Sequence, residues 1–439
     1  MPTVAFHDLA RLGAAEREAL LQRSESDLGP FLDGARPIIA AVRHEGDAAL
    51  ARFARDFDKA PVAADALQAT PADFAAAARQ VAPEVVEAID YAIDGIRRFH
   101  EAQKPEEMWL KEIRPGAFAG DRFLPIPSVA CYVPRGKGAF PSVMMMTTVP
   151  AVVAGVPEIV VLTPATPEGG IDAASLFAAR TAGVAKVYRL GGAVAVAAAA
   201  FGTASVPRVA KIVGPGSPWV VAAKRLVADR IDTGLPAGPS EAIVLADATA
   251  DPHLAALDLL IEAEHGPDSS AFLVTDSPEM AAAVRERLPE LIGRLGEQRR
   301  GFVGAVLSGP RGGIVLAPSW AEALRFVNDY APEHLEVLSA EPLQHLGGIE
   351  HAGEVLFGGH TPITIGNFCL GPDCVLPTGG WARTWSALGV HDFMKRTSLG
   401  HVTAAGYPEL ARHAGVLARY EGFEAHAQAL SELREELGG

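Results

Sequence analysis

From about residue 128 the chain alternates short β-branched apolar runs with Ala-rich runs of helical length. Residues 129–133, 158–163, 186–190 and 209–213 read as strands. Residues 141–154, 173–182, 193–201 and 218–229 read as the helices between them. Strands that recur after a helical crossover can pair only as a parallel sheet with helices packed on its faces. The stretch 232–240 is rich in Gly and Pro and reads as a crossing, after which the alternation resumes. Strands are predicted over 241–246, 271–276, 313–317, 335–338 and 355–358, with helices over 253–264 and 278–288. The sequence therefore predicts two α/β units, one after the other.

The flanks read differently. Residues 1–125 carry helical spacing, with Thr70 as an N-cap before Pro71 at the first helical position. Pro83 is expected to split the amphipathic segment 71–103 into two helices, and 60–69 reads as a loop. The tail after Gly400 is predicted helical over 407–419 and 423–437.

Composition narrows the function. A length of 439 residues corresponds to two or three domains at about 150 residues each. With 38 Lys and Arg against 53 Asp and Glu, the net charge is −15, which disfavours nucleic acid as a partner. Three cysteines make no disulfide framework and suit a reducing, cytoplasmic setting. The uncharged stretch 138–157 is long enough to span a bilayer, but Pro141, Pro150 and Pro157 interrupt it, so a buried helix is expected instead. Residues 1–12 lack the pattern of a signal peptide. A soluble enzyme is the reading that composition leaves.

Several features can carry chemistry. Leu190-Gly191-Gly192-Ala193 and Gly214-Pro215-Gly216-Ser217 each link a strand to a helix. They read either as phosphate cradles or as plain tight turns. Neither completes the dinucleotide fingerprint. Glu262 and His265, three apart on a helix, form a workable pair of metal ligands or a solvated Glu beside a capping His. Glu333 and His334, adjacent before a strand, offer two proton-transfer groups, or a structural His with a surface Glu. Cys369 and Cys374 near His360 show no metal-site spacing, and packing is the simpler reading.

Taken in order, these blocks resemble the histidinol dehydrogenase family from about residue 20 to the end. The matching stretches include Tyr132-Val133-Pro134, Arg189-Leu190-Gly191-Gly192-Ala193, Ala237-Gly238-Pro239-Ser240-Glu241, Ala263-Glu264-His265, Ala331-Pro332-Glu333-His334-Leu335-Glu336, Val375-Leu376-Pro377-Thr378 and Glu421-Gly422 with His426. The resemblance implies a homodimer of two doubly wound, Rossmann-like parallel-sheet domains with smaller helical N- and C-terminal extensions. It implies a helical extension over 1–30, a discontinuous domain of 31–128 with 239–385, an inserted NAD-binding domain over 129–238, and an extension over 386–439 that reaches the partner subunit. It also implies NAD and zinc, and two hydride transfers that take an alcohol through its aldehyde to the acid. In this sequence His334 corresponds to the general base, Glu333 to the group that activates water, and Ser240 to a substrate contact. Glu421 and His426 would complete the other subunit's site.

Departures from the family fall within the implied site. The four metal-ligand positions, where Gln, His, Asp and His are expected, read Glu262, His265, Asn367 and His426. Asn is a poorer zinc ligand than a carboxylate. The substrate-reading His is Cys374, and an acidic residue near it is Ile363, so a cationic amino alcohol would lose partners. On the cofactor side Tyr132 persists, while Val194 and Ser217 replace Gln and Asn. The sequence thus points to an NAD-dependent, zinc-assisted dehydrogenase of a small primary alcohol other than histidinol. The alternatives are a true histidinol dehydrogenase of histidine biosynthesis and a catalytically silent ligand-binding homologue.

Overall fold

Both runs of alternation form parallel sheets. The computed structural model describes residues 4–23, 28–135 and 138–431. Its strands are, in chain order, β1 (Phe6–Asp8), β2 (Met108–Arg114), β3 (Ala117–Pro125), β4 (Ser128–Tyr132), β5 (Glu158–Thr163), β6 (Val187–Arg189), β7 (Lys211–Val213), β8 (Glu241–Ala246), β9 (Ser270–Thr275), β10 (Gly312–Leu316), β11 (His334–Leu338), β12 (Glu354–Phe357) and β13 (Met394–Val402). One sheet has the order β6-β5-β4-β7 and the other β1-β10-β9-β8-β11-β12. Every pair within these two sheets is parallel. Apart from β1, which adds at the edge beside β10, the chain enters each sheet at an inner strand (β4 and β8), winds outward to one side, then returns to the other. That is the doubly wound topology the alternation predicts.

The helix Pro141–Ala154 shows why the uncharged stretch needs no membrane. It is buried almost all round among other helices and the strands. Its two threonines satisfy their hydroxyls locally, Thr147 donating to the Val143 carbonyl at 2.7 Å and Thr148 to that of Met144 at 2.6 Å. Among the described residues no helix is long and apolar enough to cross a membrane.

The chain divides into two compact units. One comprises Met1–Lys104 with Ile126–Phe393 and carries both parallel sheets; the other comprises Pro105–Pro125 with Met394–Gly439. Within the first, the sequence reading grouped 31–128 with 239–385. In the structure the helix Gly29–Glu45 shares a single apolar core with the four-stranded sheet, joining Ala35, Val42, Leu50, Tyr132, Val160 and Ala197. The Ala-rich helix Gly192–Phe201 has side chains small enough to let neighbours approach closely, which a pattern of hydrophobicity alone does not reveal.

Four expectations on the flanks are corrected. Residues 108–125, read as helical, form the antiparallel hairpin of β2 and β3. All of β2 is exposed, so it lacks the apolar alternation that marks a half-buried strand. Gly120 is required there, because a Cβ at that position would lie 1.9 Å from the Trp109 carbonyl oxygen. The C-terminal extension, read as helical, opens with β13, which pairs antiparallel with β3 across a separation of some 280 residues that no local pattern can signal (Arg396 opposite Phe123). The N-terminal extension is not all helical either, since β1 adds an edge strand beside β10 ahead of the helix Ala14–Leu20. The predicted helix over 423–437 is shorter, Glu424–Gln428, and residues 432–437 lie outside the described residues.

The expected cap is present. Asp73 donates its backbone N–H to the Thr70 hydroxyl, and the Asp73 carboxylate accepts from the Thr70 N–H at 2.7 Å. Pro83 begins the next helix, Pro83–Gln103, after a break at Val81–Ala82. We expect Thr70→Ala to lower stability by about 1 kcal/mol, as read from chemical denaturation.

Candidate active site

The residues picked out on separate segments converge at one edge of the six-stranded sheet. Ser240 immediately precedes β8, Glu333 immediately precedes β11, and His334 begins β11. The helix Pro252–Ala263 runs back against the sheet, so its last turn brings Glu262, and just beyond it His265, to the same amino-terminal edge. The short helix Ile363–Phe368 supplies Asn367. Ligands in open α/β sheets usually sit at the carboxyl ends of the strands. Here the cluster sits at the opposite end, beside β8 and β11, the two strands where the winding reverses.

The contacts are specific. The Glu333 carboxylate accepts the backbone N–H of Glu241 at 2.9 Å. His334 faces two carboxylates, with Nδ1 at 2.6 Å from Oε1 of Glu354 and Nε2 at 3.7 Å from Oε2 of Glu333. Asn367 donates its side-chain N–H to Glu262 Oε1 at 2.8 Å. His265 Nδ1 lies 3.1 Å from Glu262 Oε2 and 3.2 Å from the Ile261 carbonyl oxygen. Ser240 lies close enough to Glu262 to favour its ionised form.

Carboxylates outnumber cations in this cluster, and most of it is buried, so protons are held tightly. Burial alone would lower the His334 pKa, but Glu333, Glu262 and Glu354 outweigh it and raise it to about 10. Burial drives the Glu333 carboxyl well above the ordinary range, and the charge of Glu262 adds to it while His334 opposes. Glu262 is the exception: burial pushes it up, but His265, His334, Asn367 and Ser240 together hold it below the usual value. Burial, with the charges of Asp373, Glu354, Glu333 and Glu262, keeps the Cys374 thiol protonated. Cys374 therefore belongs to the cluster as a neutral group. Ile363 is fully buried in a small apolar patch with Ala242 and Leu356, and offers no charge to a substrate.

The donor types in this cluster suit a divalent cation. Both neighbours of His265 Nδ1 are acceptors, so that nitrogen carries the proton and Nε2 keeps its lone pair, the arrangement usual for a metal-ligating imidazole. Asn367 spends an N–H on Glu262 and keeps its side-chain oxygen as a donor to metal. Glu262, His265 and Asn367 thus provide one carboxylate, one imidazole and one amide oxygen. Among the described residues no three His, Cys, Asp or Glu side chains form a metal-holding group; the third member here is an amide. His426 lies in the second unit, on the helix Glu424–Gln428, its ring 5.0 Å from that of Phe423. Glu421 is exposed at the end of the helix Tyr407–Tyr420 in the same unit.

A second concavity lies at the carboxyl edge of the four-stranded sheet. It has a volume of about 410 Å³, within the range of small-ligand sites, and is lined by Gly191, Gly192, Val194, Ser217, Trp219 and Phe53 among others. The helices Gly192–Phe201 and Pro218–Leu226 begin at its wall and present their N-termini to it, which suits an anionic phosphate. Ser217 occupies an N-cap position but its side chain caps nothing. The structure gives Tyr132 a supporting place here. Its hydroxyl accepts the Gly192 N–H at 3.1 Å from a buried position, so it shapes the turn without being among the lining residues.

Three site residues escape a reading from sequence. Glu354 bonds His334, Glu241 holds Glu333 through its backbone, and Arg23 bonds the Glu241 carboxylate at 2.8 Å while stacking 3.3 Å over the Tyr330 ring. Glu354 and Glu241 stand at the mouths of otherwise apolar strands, a signal that was available. Arg23 carried none, since its partner is 218 residues away.

A family model described as histidinol dehydrogenase matches residues 21–434. The chain is 62% identical over 435 residues to histidinol dehydrogenase homolog 2 of Mesorhizobium japonicum, covering 99% of each. It is 48% identical over 429 residues to histidinol dehydrogenase of Synechocystis sp., covering 98% of each. Among solved structures, the crystal structure of histidinol dehydrogenase from Elizabethkingia anophelis superposes with a TM-score of 0.94 at 28% identity, covering 100% of both chains.

Proposed function

The chain belongs to the histidinol dehydrogenase family, whose members are NAD-dependent oxidoreductases acting on CH–OH groups, and on that premise we propose that it oxidises a small primary alcohol other than histidinol to the acid. The observation that carries the reading is His334, buried between Glu354 and Glu333 and beside Glu262. His334 Nε2 takes the hydroxyl proton, and NAD, when bound, would serve as the hydride acceptor. Glu333, in its ionised form, would then take a proton from the water that adds to the aldehyde. Glu262, His265 and Asn367 would hold a zinc ion, which when bound supplies charge stabilisation to the substrate oxygen. Glu421 and His426 are assigned to the site of a second copy in a homodimer.

Substrate choice follows from Cys374, Ile363 and Asn367. A neutral thiol and a buried Ile give a cationic amino alcohol no partner, and a site lacking matched polar groups loses the substrate that needs them. A panel of small alcohols scored by NADH formation tests this. We expect turnover of an alcohol other than histidinol, and gain of histidinol oxidation in Glu262→Gln with Asn367→Asp. Efficient conversion of histidinol by the unmodified protein would overturn the substrate assignment. NADH from no alcohol, with no NAD binding in calorimetry, would favour a silent ligand-binding protein.

The cavity at Gly191–Val194 and Ser217 is assigned to NAD. Because the Ser217 side chain is exposed and caps nothing, a bulky replacement there fills the cavity without undoing the helix. Ser217→Trp should weaken NAD binding at least tenfold, a loss of about 1.4 kcal/mol, in a calorimetric titration. Unchanged affinity would place the cofactor elsewhere.

A further inference from the structure

The bond between His334 and Glu354 is the shortest side-chain contact in the cluster, and the reading above gives Glu354 itself no task in the reaction. Glu354 stands on β12, directly opposite His334 in the parallel register. Both side chains are almost fully buried, and Oε1 of Glu354 lies 2.6 Å from Nδ1. An ionised carboxylate can only accept, so in the neutral ring Nδ1 carries the proton and Nε2 is the nitrogen left bare, facing Glu333 and the space beside Glu262. A Cβ on Gly366 would approach both Glu354 oxygens at 3.2 Å, so the helix Ile363–Phe368 closes against the carboxylate and limits its movement.

We propose that Glu354 is a positioning residue for the reaction: it fixes the His334 tautomer with Nε2 bare, and stabilises the imidazolium formed when Nε2 accepts the hydroxyl proton. The proposal rests on the alcohol-oxidation reading for its kinetic consequence but not for its structural one. In the balanced step the alcohol C–H leaves as hydride to NAD and its O–H proton passes to Nε2. Glu354 gains and loses no proton; its charge offsets the one that appears on the ring. Buried carboxylates surround the pair. Glu333 and Glu262 act on the imidazole from their own segments, and Glu336, two residues along β11, lies within range of Glu354 and is paired with Asp258 of the helix Pro252–Ala263. Glu354 alone among them makes a hydrogen bond to the imidazole.

Two measurements test the assignment. Proton NMR of histidine-labelled protein, with His334→Asn identifying the signal, should show a strongly deshielded Nδ1 proton that disappears in Glu354→Gln. This needs no substrate, and its absence from the unmodified protein overturns the proposal even if alcohols are oxidised. In turnover, Glu354→Gln should lose kcat by roughly 10²–10⁴-fold with little change in KM or melting temperature, because the amide keeps the shape but can donate to Nδ1 and reverse the tautomer. Glu354→Asp should recover part of the loss. An unchanged kcat in Glu354→Gln, or equal losses in Gln and Asp variants, would mark the pair as structural only. If no alcohol yields NADH with the unmodified protein, the functional reading fails, and the NMR signal still decides whether the pair sets the tautomer.

Discussion

His334→Asn should reduce kcat by roughly 10²–10⁴-fold, the range for loss of a general base, while NAD still binds in calorimetry. The cavity assigned above to NAD lies on the other sheet and contains no part of His334. The pH dependence follows from the raised pKa. His334 must be neutral at Nε2 to accept a proton, and its surroundings hold it protonated up to about 10. The rate should therefore climb from neutral toward alkaline pH. The folded-state pKa is above the ordinary imidazole value, so the imidazolium contributes stability that is complete below that ordinary value and is lost as pH rises through about 10. Activity and stability should thus move in opposite directions across that window. In His334→Asn the loss of stability should be absent. A rate that is flat from neutral to alkaline pH would count against His334 as the base.

Arg23→Ala should cost about 3–5 kcal/mol, because it strips the partner from a buried carboxylate. Glu241 is almost wholly buried, and its Oε1 accepts both from Arg23 and from the Gly379 N–H at 2.8 Å. Arg23 also donates to the Tyr330 carbonyl and covers the Tyr330 ring. Removing it leaves an almost wholly buried carboxylate with one backbone donor. Urea denaturation gives the comparison. Arg23→Ala with Glu241→Gln should recover most of the loss, since an amide tolerates burial without a counter-charge. If the double change is as unstable as the single one, the Arg23 contribution is packing over Tyr330 and not charge compensation. Because the Glu241 backbone N–H also holds Glu333, the single variant should lose activity as well as stability.

The parallel sheets were legible because their information is local. The helix Pro141–Ala154 and the strands Glu158–Thr163 and Glu241–Ala246 have the bounds read from the sequence, each being a run of consecutive side chains with its own start and stop signals. The hairpin of β2 and β3 was not legible. Its outer strand is exposed throughout and β3 is completed by β13, so its stability comes from pairing and not from burial of one face. Glu333, His334, Glu262 and His265 could be named from residue type and spacing. Glu354 could not be assigned a role, because its importance is a distance to His334 across two adjacent strands.

By itself the sequence determined the doubly wound class, the family, and the residue types available for proton transfer and metal binding. These depend on local periodicity and on ordered blocks along one chain. The tertiary structure alone decided that the cluster sits at the amino edge of the six-stranded sheet. It also decided that Asn367 and His265 both lean on Glu262, and that Glu354 faces Nδ1 of His334. Hydrogen bonds and charge interactions act over a few ångströms between residues that may be a hundred or more positions apart. Only the folded chain sets those distances, and with them the proton affinities on which the chemistry depends.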